Sequence, residues 1–294
     1  MKEEAVGQPY VAVPAEDILR TVLSPAFLSL TLWGWDGMLS RALELKRDQI
    51  LVLVMKDFKL KYDSTALGFF WSLMVPVFSS LIYLLVFGFM MRWNIKNYLL
   101  YLLSGTFLWH FFTNTVMANG KVLLSNASLL KKTNFDRRLL VWGTFFSEGT
   151  HFLLTLPILA VIMLSYGVIP NWLSFFPNVA ASLLFLTFFA MGFSYMYAAV
   201  NLHLRDLERV MRLIMQVWFY LTPVFIPENR IPAKYLWIYT VNPMAGIVRC
   251  WRDAFYEPAF HPERWPLLAL ISICVFWAGR ALFLRLEATF AERM

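Results

Sequence analysis

Apolar residues in this chain gather in long runs rather than in the alternating pattern of half-exposed strands or surface helices. Runs over 69–91, 98–117, 139–168, 175–200 and 266–284 are each long enough to cross a hydrocarbon core, which takes about 20 apolar residues per helix. A sixth, 210–226, is fifth in chain order; it is shorter and is followed by proline. Ahead of the first run the pattern differs. Leu51, Val54, Met55, Phe58 and Tyr62 fall at helical spacing on one face, with Lys56, Lys59 and Asp63 off it, as in a helix lying along a membrane surface. The prediction is an all-α integral membrane protein: an N-terminal amphipathic interface helix over 39–66, six transmembrane helices, and one membrane domain over 39–294. Residues 1–38 carry Pro9, Pro14 and Pro25 and read as a loosely structured cytoplasmic extension, with Trp33 and Trp35 near the headgroups. The first 30 residues lack the basic start and compact apolar core of a signal peptide, since Glu3, Glu4, Glu16 and Asp17 interrupt them.

Composition agrees with a membrane reading. The chain is 59% hydrophobic and 15% charged, against about 45–50% and about 25% for soluble domains. Basic residues set the orientation, because they are retained on the cytoplasmic side. Lys56, Lys59 and Lys61 precede the first span, Lys121, Lys131, Lys132, Arg137 and Arg138 link the second to the third, and Arg205 and Arg209 link the fourth to the fifth. Arg92 and Lys96, in the short loop after the first span, are outweighed by the five basic residues of the next. Both termini are therefore expected in the cytoplasm. The net charge of +7 follows from these loops and their attraction to anionic membrane lipids, so no nucleic-acid partner is implied. Cys250 and Cys274 fall in an external loop and a span, which argues against a disulfide.

Three segments carry motif-like patterns. The first is Thr65-Ala66-Leu67-Gly68-Phe69-Phe70-Trp71 with Pro76, where the amphipathic helix runs into the first span. The second is His203-Leu204-Arg205-Asp206 at the end of the fourth span. The third is Thr222-Pro223-Val224-Phe225-Ile226-Pro227, followed by Asn242-Pro243-Met244 and Arg249. In this order the segments resemble the permease subunits of bacterial ABC exporters that move O-antigen, capsule or teichoic-acid polysaccharides, over about residues 40–285. Two departures stand out: Lys56 and Lys61 replace the commoner arginine, which keeps charge but loses bidentate bonding, and Leu204 replaces an aromatic residue.

The resemblance implies a homodimeric permease in the bacterial inner membrane that moves a lipid-linked polysaccharide outward. A separate ABC ATPase would hold the ATP and Mg, with no cofactor in this chain. In agreement, no Gly-x-x-x-x-Gly-Lys-Ser/Thr loop occurs; at Gly120-Lys121 the earlier glycine is Thr115. The connector around Asn126, Ser128, Leu129 and Leu130 is either an ATPase-coupling helix or a solvated link, and the resemblance favours coupling. Arg205 and Asp206 are read as structural or coupling residues. Pro223, Pro227, Asn242, Pro243 and Arg249 correspond to an external gate of re-entrant helices; an ordinary external loop with an amphipathic helix is the alternative.

Glu148 and His151 lie three residues apart inside the third span, on one helical face. A charge at the bilayer centre costs about 2.5–3.5 kcal/mol, so both should face the bundle, a partner or water, as a packing pair or as part of the substrate path. Tyr62, Trp71 and Trp109 are aromatic candidates for that path, because sugar rings stack on aromatic faces; headgroup anchoring and packing compete with that role. No His-Glu-x-x-His or Cys-x-x-Cys pattern points to a metal, and no catalytic residue is assigned. Other readings are an ABC permease for a drug or small lipid, or a polytopic glycosyltransferase or acyltransferase. The enzyme reading calls for clustered carboxylates or a His-Asp pair, for which His203 and Asp206 come nearest.

Overall fold

A computed structural model describes residues 44–59, 61, 68–132, 135–204, 206–256 and 259–290. The chain divides into two compact units, Met1–Gln49 and Ile50–Met294. Residues 44–49 of the first are helical, with Arg47 and Asp48 ion-paired at 3.1 Å. The expected extension over 1–38 lies outside the described residues, as do the family-like positions Tyr62 and Arg205.

The second unit opens with a leading helix over residues 50–59. There follow α1 (Gly68–Tyr83), continued by a π-helical segment (Leu84–Met90), then α2 (Tyr98–Ser125), α3 (Ala127–Lys132), α4 (Arg137–Ser165) and α5 (Trp172–Asn201). The rest comprises α6 (Leu207–Tyr220), α7 (Leu236–Val241), α8 (Pro243–Phe255) and α9 (Trp265–Leu286). No strand occurs among the described residues.

Among the described residues, four helical stretches are long and apolar enough to cross a membrane: Leu73–Met90, Arg137–Ser165, Trp172–Asn201 and Pro262–Thr289. The second expected span forms a helix that runs past residue 117 to Ser125. It carries Asn114, Asn119 and Lys121 on its later turns, and its polarity keeps it out of that apolar set. The fifth differs most. Its helix, α6, has 14 residues and stops before Thr222-Pro223, because proline has no N–H to continue the ladder. At 1.5 Å per residue it spans about 21 Å, short of a hydrocarbon core of about 30 Å.

The α2 helix is the axis of the bundle: 19 of its 28 residues are buried. It packs against α1, α4, α5, α6 and α8. The most extensive pairing is α5 with α9. There the backbones nearly touch, since a Cβ on Gly279 would stand 2.1 Å from the Gly192 carbonyl oxygen, and one on Gly192 would stand 2.6 Å from the Val275 backbone. Small residues at a helix crossing allow this approach, which supplies the van der Waals contact that holds helices together where lipid gives no hydrophobic drive. At the α2, α5 and α6 junction, Trp109, Phe112, Phe189, Phe193 and Trp218 make a ring cluster with edge-on, tilted and stacked contacts at centroid distances of 5.0–6.2 Å.

The leading helix buries Leu53 against Gly143 of α4, while Leu51 and Met55 stay exposed. Its protein-facing side therefore includes Leu53, which the predicted apolar face omits.

Candidate functional site

Two of the expected path residues meet in one place. Glu148 and His151 are both buried on α4, Glu148 to 7% exposure. Lys61 Nζ donates to Glu148 Oε1 at 2.9 Å, and the Phe58 ring stacks on His151 at 5.6 Å with 9° between planes. The two helical neighbours are thus served by the leading helix from the other side. Lys61 remains 42% exposed, so solvent screens this ion pair.

Around them lies a cavity of about 690 Å³. Its walls combine Phe107, Phe111 and Phe152 with Lys61, Glu148 and His151, and it continues past Asn114 to Lys121 and Glu208. His110, Asn114, Ala118 and Lys121 recur at helical spacing, so α2 presents one continuous face to the cavity. The Lys121 ammonium pairs with the Glu208 carboxylate at 2.8 Å. A smaller recess of about 320 Å³ shares Lys61, Ala118 and Glu148 and reaches Asp57, whose carboxyl burial pushes above its usual range. Lys56 and Lys61 pull it back down, and Glu148 adds to the rise.

Trp71 and Trp109 stand elsewhere. Trp71 is 54% exposed on α1, its ring edge-on to Phe70. Trp109 is 4% exposed inside the ring cluster, against Phe112, Trp218 and Phe219, and is not part of the cavity wall.

The connector residues form the short helix α3. Asn126 joins α2 to α3, donating from Nδ2 to the Val122 carbonyl at 2.8 Å and accepting from Lys56 Nζ. Ser128 is exposed, whereas Leu129 and Leu130 rest partly on the core. Asp206 is exposed at the start of α6. His203 donates from Nδ1 to the Ala199 carbonyl (2.9 Å), and its Nε2 pairs with Thr289 Oγ1 (3.0 Å), tying the end of α5 to the turn after α9. Among the described residues, no three His, Cys, Asp or Glu side chains converge as a metal site.

The residues expected at an external gate fall into two groups, Asn242 and Pro243 beside Thr222, and Pro223, Pro227 and Arg249 along one cavity. Asn242 accepts from Met244 N at 3.1 Å and caps α8, with Pro243 in the first helical position where its missing N–H costs nothing. The same amide donates to Leu221 O (3.0 Å) and pairs with Thr222 Oγ1 (2.9 Å), and it accepts from Trp218 Nε1 (3.0 Å). Arg249 Nε donates to Glu228 Oε1 at 2.8 Å. Sequence reasoning missed the residue at the centre of this group. Arg252 is 6% exposed, donates to the carbonyls of Pro223, Val224 (2.6 Å) and Tyr101 (3.0 Å), and lies over the Tyr101 ring at 3.5 Å. Gly105 leaves it room, since a Cβ there would meet Arg252 Nη2 at 2.3 Å. The break after α6 frees carbonyls, and Arg252 takes them.

A helical membrane bundle without a nucleotide loop, with a charged, aromatic-walled cavity, has the makings of a transport subunit. Residues 48–256 match the ABC-2 type transporter family, and the chain belongs to it. It is similar to the O-antigen export system permease protein RfbA of Klebsiella pneumoniae, 34% identical over 247 residues, covering 83% of this chain and 94% of that one. The RfbA permease of Myxococcus xanthus is 31% identical over 260 residues (86% and 98%). The polysialic acid transport protein KpsM of Escherichia coli is 22% identical over 252 residues (82% and 94%). The chain is thus an integral membrane protein of a transporter family.

Proposed function

We propose that this chain is the permease subunit of an ABC exporter that moves a lipid-linked polysaccharide across the bacterial inner membrane. The observation that carries the reading is the cavity containing Lys61, Glu148 and His151, a polar, aromatic-walled space among the helices. The names of the RfbA and KpsM relatives support polysaccharide as cargo. A polymer that slides needs weak, repeated contacts, which ring faces and screened charges supply. In this reading the chain crosses the bilayer six times, with α6 and the stretch after it as the fifth crossing. The α7–α8 pair is a re-entrant external gate, pinned by Asn242 and Arg252, and both termini face the cytoplasm. Two copies form the conduit, and a separate ATPase supplies ATP and Mg chemistry through α3 and the Arg205-Asp206 turn.

The test is co-expression with candidate ATPases and affinity capture. The chain is expected to bring down one ATPase, and ATP hydrolysis by the purified chain alone would overturn the assignment. Ser128→Arg sharpens it: Ser128 is exposed, so the variant should fold normally yet lose capture and export together. Charged replacements at Leu129 or Leu130 are less clean, because those side chains also pack on the core.

Glu148→Gln addresses the cavity. Because its partner Lys61 is half in solvent, the pair contributes only about 0–1 kcal/mol to stability. Membrane levels should stay near normal while surface polysaccharide, followed by immunoblot, falls several-fold. Unchanged export at unchanged levels would remove Glu148 from the path.

A further inference from the structure

A second cavity, of about 470 Å³, lies beside the Arg252 centre and differs in character from the first. Its described lining includes five cationic side chains, Lys96, Arg230, Arg249, Arg252 and Arg264, against two carboxylates, Glu228 and Asp253. Glu228 is matched by Arg249. The two terminal nitrogens of Arg252 bond neutral carbonyls, which do not cancel its charge, and its buried Nε has no partner among the described residues, so its field remains in a low-dielectric wall. Lys96 and Arg230 have no carboxylate within ion-pair distance among the described residues; Arg230 has only the Asn94 carbonyl at 3.5 Å. Arg264 has Glu263 at 4.0 Å, itself well exposed.

The wall carrying Lys96 is preset. Arg92 and Asn97 adopt left-handed backbone conformations (φ 53° and 48°), uncommon for residues other than glycine and unfavourable for arginine. The turn between them is held by Trp93 N donating to Phe87 O at 3.0 Å and by Tyr256 Oη donating to the Lys96 carbonyl at 2.5 Å. Strain is accepted here to keep a basic loop facing a basic pocket, which like-charge repulsion alone would open.

We propose that this cavity is a binding site for a phosphate-bearing group, with Lys96, Arg230 and Arg264 as its donors and the Arg249–Glu228 pair and Arg252 as its walls. Guanidinium forks suit multiply charged oxyanions, and the volume exceeds what one free phosphate fills, so a phosphodiester or diphosphate headgroup fits. The proposal rests on the export reading only for placing the site on the outward face.

The test uses the purified full-length chain. Titration calorimetry with inorganic pyrophosphate is one arm. The other is native mass spectrometry of the chain from nanodiscs of phosphatidylglycerol or of phosphatidylcholine. Wild type and Arg285→Gln should bind alike. The Lys96→Gln/Arg230→Gln pair should bind at least tenfold more weakly at an unchanged melting temperature. Arg264→Gln alone, on an exposed side chain, should weaken binding about threefold and serves if the double variant misfolds. Variant-sensitive pyrophosphate binding identifies a phosphate group as sufficient; retention of phosphatidylglycerol alone, equally variant-sensitive, identifies a lipid headgroup as the source. Absence of variant-sensitive binding in both arms overturns the site. ATPase capture is scored separately, so loss of that partner refutes the export reading and leaves the anion site standing.

Discussion

Replacing Arg252 by methionine should remove most of the folded chain from the membrane. The guanidinium donates to the carbonyls of Tyr101, Pro223 and Val224, and methionine fills its volume while leaving Val224 O without that donor; Tyr101 O keeps Ser104 Oγ and Pro223 O keeps Tyr101 Oη. An unsatisfied buried carbonyl costs about 1–3 kcal/mol and each lost bond to a charged donor about 1.5–3 kcal/mol, so even with incomplete additivity the loss is on the order of 3–5 kcal/mol. That is a large share of the about 5–15 kcal/mol by which proteins hold their fold. Arg252→Lys should recover only part of it, because a single ammonium cannot reproduce the fork that reaches residues on two separate segments. Thermal unfolding in detergent, with membrane abundance alongside, measures both variants. A melting temperature for Arg252→Met equal to that of the parent would show that the carbonyls find other donors.

An equally large loss is expected for Gly279→Leu. The α5–α9 crossing has no space for any side chain at Gly279, since even a methyl would overlap the Gly192 carbonyl. Alanine should cost about 1–3 kcal/mol, the usual range for overpacking, by forcing the helices apart locally. Leucine cannot be absorbed by such a shift and should abolish the docking of α9. Gly149→Ala is the control: its nearest neighbours are the Phe111 ring at 3.8–3.9 Å, ordinary contact, so that variant should accumulate normally. Comparable yields for Gly279→Leu and the parent would mean that the two helices pack in another register.

Much of this architecture could be read from hydropathy, because a helix that spans lipid must be apolar over a fixed length and leaves that length in the sequence. Four of the expected spans appear as helices with closely similar limits, and Asn242 bonds Thr222 and caps α8 at Pro243. Arg252 was illegible for a physical reason. Within Arg249-Cys250-Trp251-Arg252-Asp253 it looks like one more charge on an amphipathic helix, and the groups that bury it come from Tyr101 and Pro223, far away in the chain. Glu148 was recognisable as an ion that needs a partner, but nothing local identifies that partner as Lys61, 87 positions earlier. Trp109 shows the opposite failure. Aromatic type alone does not distinguish a ring that faces a path from one that fills a core, and this one fills the core. The short α6 was signalled by Pro223, although not that its helix would begin with two polar turns carrying Glu208, Arg209 and Arg212.

The Gly192–Gly279 contact also imposes an order on biogenesis. Gly192 leaves the ribosome long before Gly279; at about 5–20 residues per second, the partner backbone arrives several seconds later. Throughout that interval the small-residue face of α5 has no mate within the chain. Lipid or the insertion machinery must cover it until α9 enters the membrane. Closure of the bundle therefore waits for α9, and nascent chains stalled anywhere before Trp265 should present an open α5 surface to quality-control proteases.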